Sequence, residues 1–192
     1  MKSSEISKIL ITTSRNPTQM IRTFCNDLSF TIPNSVKINR GKSSLDSIAE
    51  KALECEAEKV IISDRWKGDL GKIQLFEVGN NGLFQFYPLI YVTKVKLRKT
   101  FENMQTKPVK SLVLQTTTEI PFEAHKLSDA LSRFLKIQKF STDEAIAPNI
   151  QMAMQVSLNA KRCIQITFLH ILRKIEIGPR ITVSHLIWEP RK

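Results

Sequence analysis

One short pattern occurs twice in this chain, and it constrains the fold more than any other feature. Lys8 to Thr13 (KILITT) is an apolar, β-branched run that ends on paired threonines and then meets a Ser-Arg-Asn-Pro step. Such a run reads as a buried strand, and the step after it reads as a helix start. Leu112 to Thr117 (LVLQTT) repeats the run, with Pro121 following at the same distance. Leu10, Thr12, Thr13 and Pro17 thus align with Leu114, Thr116, Thr117 and Pro121 at an offset of 104 residues, which suggests a duplicated strand-loop-helix unit. In a chain of 192 residues that leaves room for one ordinary domain or two small halves sharing a core.

The remaining elements follow from periodicity. Met20, Ile21, Phe24, Cys25 and Leu28 recur at helical spacing and predict a helix from about 17 to 29, with Asn16 as cap and Pro17 in the first position. Val36 and Ile38 form a brief strand. Ser43 or Ser44 then caps a helix with Leu45, Ile48, Ala49, Ala52 and Leu53 inward. Lys59 to Ser63 reads as a buried strand, 64 to 71 as a turn, and 72–78 and 83–97 as longer strands, with Pro88 placing an edge or a bulge in the second. The segment 100–108 is polar but contains Phe101 and Met104, unlike a Gly/Ser tether. After it come the second unit, a helix carrying Leu127, Ala130, Leu131, Phe134 and Leu135, and alternating runs around Ile164–Phe168, Ile175–Ile177 and Ile181–Ile187 that predict antiparallel strands.

Charge narrows the partner. Twenty-nine Lys and Arg against 18 Asp and Glu give a formal charge of +11, shared by both halves, so the summed field favours a polyanion such as nucleic acid or an anionic membrane surface. The three cysteines, Cys25, Cys55 and Cys163, lack the short spacings of a disulfide framework or zinc ribbon and point to a reducing interior. The polar N-terminus carries no export signal, and Leu83 to Val92, interrupted by Gln85 and Pro88, is too short to span a bilayer. The chain reads as a soluble protein.

No catalytic constellation stands out. Gly41-Lys42-Ser43 resembles the end of a P-loop, but the first glycine of that motif would fall on Val36, so a basic turn capping a helix is the better reading. His125, His170 and His185 lack the spacing of zinc ligands; His185 reads as a half-buried packing residue and His125 as solvated. The expectation is no enzyme activity, no metal and no cofactor. The informative residues are basic ones in or beside turns: Arg15, Arg40, Lys42, Arg65, Lys67, Arg173, Lys174 and Arg180. There guanidinium forks and free backbone amides can meet phosphates together. Arg180 can instead turn inward to a carboxylate such as Glu176 or Glu189. Trp66, between Arg65 and Lys67, can stack an RNA base or anchor its loop on the core.

Four segments, Ile9 to Leu28, Pro33 to Ala52, Val60 to Val78 and Lys174 to Glu189, the last with its Gly178-Pro179-Arg180 step, together resemble the Brix-domain proteins of ribosome biogenesis, most closely the short stand-alone archaeal members. The resemblance implies a single α/β Brix domain over 1–192. Its two similar halves, about 1–100 and 108–192, would each be a mixed sheet with helices, similar to the anticodon-binding domains of class II aminoacyl-tRNA synthetases. It further implies binding of ribosomal RNA or its precursor during rRNA processing and subunit assembly, without catalysis, alongside ribosomal or assembly proteins, and with no membrane or small-molecule partner. The place of action would be the cytoplasm for an archaeal-type domain and the nucleolus in a eukaryote. The competing reading is a protein-interaction module that docks on pre-ribosomal proteins without touching RNA. An RNA-modifying or tRNA-handling enzyme is a third reading, weakened by the missing cofactor loop and metal pattern.

Overall fold

Five consecutive buried residues, Ile9–Thr13, make β1. A strand buried on both faces belongs inside a parallel arrangement, and β1 pairs in parallel with β2 (Ser35–Lys37) on one side and β3 (Lys59–Trp66) on the other. The structure, a computed structural model, describes residues 6–66, 69–101, 108–117, 119–142, 144, 147 and 149–189. Helix α1 spans Gln19–Thr31 and starts later than expected. Asn16 takes a left-handed φ of 56°, and the Thr18 hydroxyl, rather than the Asn16 side chain, accepts the Ile21 amide at 3.3 Å. Helix α2 (Leu45–Glu54) is capped by Ser44, which accepts the Ser47 amide at 3.1 Å. Ile48, Ala49 and Ala52 are buried, but Leu45 and Leu53, expected inward, are 44% and 54% exposed. They lie at the two ends of a short helix whose middle alone meets the sheet.

The expected turn at 64–71 is mostly strand. β3 continues to Trp66, and β4 (Asp69–Gly79) runs back along it with a bulge between Asp64 and Arg65. β5 (Gly82–Lys96) follows. Pro88 is not at an edge, because β5 lies between β4 and the last strand, but a bulge is present: Ile73 pairs with Ile90 while Leu75 pairs with Phe86. Two extra residues on β5 accommodate the proline, which cannot donate to the ladder.

A short 3-10 turn at Arg98–Thr100 leads toward β6 (Leu112–Thr116), α3 (Phe122–Leu135), β7 (Lys139–Ser141), β8 (Met152–Leu158), β9 (Ile164–His170), β10 (Ile175–Glu176) and β11 (Arg180–Ile187). The strands form one mixed sheet in the order β2-β1-β3-β4-β5-β11-β9-β8-β6-β7, with β10 on β9. β6 is parallel to β7 and β8, as β1 is to β2 and β3, and the pairings between β3 and β8 through the centre are antiparallel.

Helices α1 and α3 pack on one face of this sheet. Ile11, Phe24 and Leu28 from the early elements share a single buried cluster with Leu114, Phe134, Phe168 and Ile181 from the later ones. Helix α2 covers part of the opposite face, over Leu10, Val60, Ile62 and Phe76. A polar tie crosses the same boundary, the Val109 amide donating to the Phe30 carbonyl at 3.0 Å, while the Arg98 amide donates to Asp27 Oδ2 at 2.9 Å within the early half. Burial pushes the Asp27 carboxyl up, against that amide and the charges of Arg98 and Lys99.

Cys25 lies wholly inside, its Sγ donating to the Thr12 carbonyl at 3.4 Å, and burial pushes its thiol up to about 11 despite the nearby Ser63 hydroxyl and the charge of Lys37. The thiolate is the reactive form. Iodoacetamide applied to the native protein at neutral pH is therefore expected to label the half-buried Cys55 and Cys163 and to spare Cys25. Peptide mass spectrometry reads the outcome, and early labelling of Cys25 would contradict this packing.

Candidate nucleic-acid interface

The parallel strands β1, β2 and β3 all end at one rim of the sheet, and the chain leaves β1 and β2 there for the N-termini of α1 and α2. The outer end of parallel strands is where ligands of open α/β sheets bind. A cleft at this rim is lined by Thr13, Asn16, Pro17, Arg22, Asn39, Arg40, Gly41 and Lys42. Gly41, with φ 58°, turns the chain so that the Ser43 amide bonds the Arg40 carbonyl at 3.1 Å. Arg40 is only 8% exposed, and its Nε donates to the Ser43 carbonyl at 3.2 Å. Burial, together with the like charge of Arg15, pulls the Arg40 guanidinium below its ordinary pKa, while Asp64 acts in the opposite direction. Arg40 thus lines the cleft as a buried cation that feels the like charge of Arg15. Lys42 and Arg15 are exposed.

Asp64 closes this corner on the β3 side. Its carboxylate accepts the Arg65 amide at 2.7 Å and pairs with Lys72 at 3.3 Å. Burial raises its pKa, but the Arg65 amide, Lys72 and the nearby Ser14 hydroxyl together outweigh that and hold it below the usual range. Arg65 is exposed beside it. The structure therefore gathers Arg15, Arg40 and Lys42 on one rim, with Arg65 at the end of the adjoining strand. Trp66 ends β3, and its side chain and Lys67 lie outside the described part of the structure.

Arg22 joins the cleft although the sequence reading passed over it. It sits in the first turn of α1, where the helix dipole disfavours a cation. A basic residue at the wrong end of a helix was the available signal.

Three predicted residues lie elsewhere. Arg173 and Lys174 are exposed in the turn after β9, and Lys174 lines a separate cleft with Gln115, Thr142, Glu144 and His170. Arg180, on β11, is held inward: its Nε donates to Glu176 Oε1 at 2.8 Å, a second bond joins the same carboxylate, and its Cζ lies 5.8 Å from the Phe101 ring centroid. The bond to Glu176 raises the Arg180 pKa further. Gly178, two residues before, has φ 66°, and a Cβ there would meet Phe101 Cε2 at 2.4 Å. Gly178→Ala is expected to destabilise the fold by about 1–3 kcal/mol through left-handed strain and overpacking. Thermal unfolding checks this, and Phe101→Ala in the same chain should return the packing part and leave the strain.

His185 is exposed rather than packed, its ring stacked on Tyr91 with centroids 4.3 Å apart. Register shifts between Thr182 and His185 break the alternation that would have turned it inward. His125, expected in solvent, is half-buried in α3. Among the described residues, no three His, Cys, Asp or Glu side chains group so as to hold a metal, and no helix is long and apolar enough to cross a membrane.

The comparisons with known proteins agree with this architecture. A solved structure titled as a probable ribosomal biogenesis protein from Aeropyrum pernix superposes with a TM-score of 0.77 over 97% of this chain and 98% of that one, at 23% identity. An archaeal Imp4-like protein gives 0.62 over 94% and 99%, at 18% identity. At such identities the likeness is one of fold. In sequence, the chain is 34% identical over 96 residues to a protein of Sulfurisphaera tokodaii named as a probable Brix domain-containing ribosomal biogenesis protein, covering 48% of this chain and 54% of the relative. A protein of the same name from Pyrococcus horikoshii is 30% identical over 115 residues, covering 58% and 51%. The matched stretch spans about half the length of these curated relatives. No family model matches. The resemblance to archaeal Brix-domain proteins read from the sequence is thus shown by named relatives, and the mixed α/β fold is shared with the two solved structures.

Proposed function

We propose that this chain is a ribosome-biogenesis factor that binds ribosomal RNA or its precursor and assists rRNA processing and subunit assembly without catalysis. The names of its relatives support the cellular role. The observation that carries the RNA reading is the cleft at the parallel-strand rim, lined by Arg22, Arg40 and Lys42, with the exposed Arg15 on the same rim. A phosphate bound in this cleft would meet its cations through charge-assisted hydrogen bonds. We read the two ends of the sheet as copies of one unit, like the anticodon-binding domains named above. The repeated order of parallel and antiparallel pairings and the offset linking Leu10 to Leu114 support this. In an archaeal-type cell the site of action would be the cytoplasm.

Binding of the full chain to ribosomal RNA fragments across a salt series tests the proposal. Each phosphate neutralised by the protein gives a log-log slope of about −0.7 to −0.9. A slope near zero with tight capture of a ribosomal protein would instead favour docking on protein.

A further inference from the structure

Helix α2 covers the sheet's second face only at one end, over Leu10, Val60, Ile62 and Phe76. Beyond it, no described helix lies on that face, where Asp64, Lys72, Tyr91 and His185 stand beside the partly buried Leu89 and Ile187. One row crosses it in continuous register: Asp64 of β3 opposite Lys72 of β4, Lys72 opposite Tyr91 of β5, and Tyr91 opposite His185 of β11. Neighbouring strands are about 4.8 Å apart, so the row runs some 14–15 Å from the basic rim to His185. Lys72 is held by Asp64 at 3.3 Å, which draws its ammonium toward β3 and the rim. Tyr91 and His185 are stacked, 4.3 Å between centroids and 11° between planes, and Ser184 Oγ lies 3.1 Å from His185 Nδ1, fixing the imidazole edge. Lys94, three residues along β5 from Tyr91, is exposed opposite Thr182.

A cross-strand ring pair can serve a sheet alone, but this one ends in an exposed ring. β9 pairs with β11 at Ile181 and Thr182 only, so at His185 no described strand flanks the imidazole on its outer side. A planar ring added there would continue the stack. Nucleobases are planar, and proteins that hold unpaired strands combine aromatic platforms of this kind with a cationic track for the phosphates.

We propose that the row Lys72–Tyr91–His185 is a base-stacking platform for unpaired RNA, which takes a nucleobase on the outer face of His185 while the phosphates of the same strand lead back to the Arg15–Arg40 rim. This rests on the RNA-binding reading above and adds to it that the bound RNA is single-stranded where it crosses the sheet. A duplex has its bases stacked inside and offers none to the platform.

The test is equilibrium binding of the full chain to a labelled oligouridine and to a short RNA duplex, with thermal unfolding of each variant as control. His185→Ala, at an exposed position, is expected to weaken oligouridine binding about 5- to 150-fold with the salt slope unchanged and duplex binding untouched. His185→Phe should restore the oligouridine affinity, because stacking needs a ring and not an imidazole. Tyr91→Ala should weaken oligouridine in the same direction. Crosslinking with 4-thiouridine in the same oligonucleotide should map to Tyr91 or His185. If His185→Ala binds oligouridine like the unmodified chain while Arg15→Ala binds it less well, the platform is wrong and the phosphate rim stands. If His185→Phe fails to restore binding, the imidazole acts by hydrogen bonding, and stacking is overturned. If the unmodified chain binds neither RNA, the RNA reading fails and the platform with it.

Discussion

Phe134→Ala is expected to destabilise the whole chain by about 3–5 kcal/mol, the range for deleting a large aromatic side chain from a packed core. For a chain of this size that corresponds to a fall in Tm of about 6–20 °C. Phe134 is fully buried on α3, and its ring centroid lies 5.2 Å from that of Phe86 on β5. The Lys59 ammonium, from β3, sits 5.6 Å from the same ring and 5.9 Å from Phe86, and pairs with Glu77. The side chain therefore ties a helix of the later half to strands of the earlier one. It also lines an apolar cavity with Leu28, Ile61, Leu75, Leu131 and Phe168, which truncation would enlarge. Because the two sets of elements share one cluster, the loss should appear as a single cooperative transition at lower temperature, in calorimetry and in circular dichroism alike. Two transitions, one of them unmoved, would mean that the halves fold independently.

Much of this core was readable from side-chain spacing, because α1 and α3 each present one continuous apolar stripe and β1 and β6 open on the apolar runs Ile9–Ile11 and Leu112–Leu114. What failed to show had physical causes. Pro88 was readable as a disruption, but not its place inside the sheet, since the pairing of β5 with β11 joins residues some ninety positions apart and leaves no local trace. His185 was misread because a strand's period of two holds only between bulges. Asp64 and Arg65 read as a turn because they are charged and polar; they continue β3, with a bulge between them. At the rim, turn chemistry located Arg15, Arg40 and Lys42, since loops after parallel strands converge by topology alone. It could not reveal that Arg40 is buried beside Arg15, nor that Arg180 is taken up by Glu176, because those depend on which strands neighbour each other.

The rim variants should separate affinity from stability in opposite directions. Ala at Arg15, Arg40, Lys42 and Arg65 together is expected to reduce the magnitude of the RNA salt slope by about 3, at roughly 0.7–0.9 for each phosphate no longer neutralised, and to weaken binding on the order of 100-fold or more at low salt with little dependence on sequence. Lys42 and Arg65 are exposed, so their replacement alone should leave stability within about 0.5 kcal/mol. Arg15→Ala is the sharpest member. In the unbound protein it removes a like charge facing the buried Arg40 guanidinium, so Tm should hold or rise while RNA affinity falls. A residue retained for the fold would lower both. Arg180→Ala is the contrasting case: its guanidinium is bonded to Glu176 and lies over Phe101, so its loss should lower Tm and leave the salt slope in place. Fluorescence anisotropy at several salt concentrations, with melting curves on the same samples, reads all of these together. If the fourfold variant keeps both its affinity and its slope while remaining folded, phosphates are not bound at this rim, and the charge there serves a protein partner.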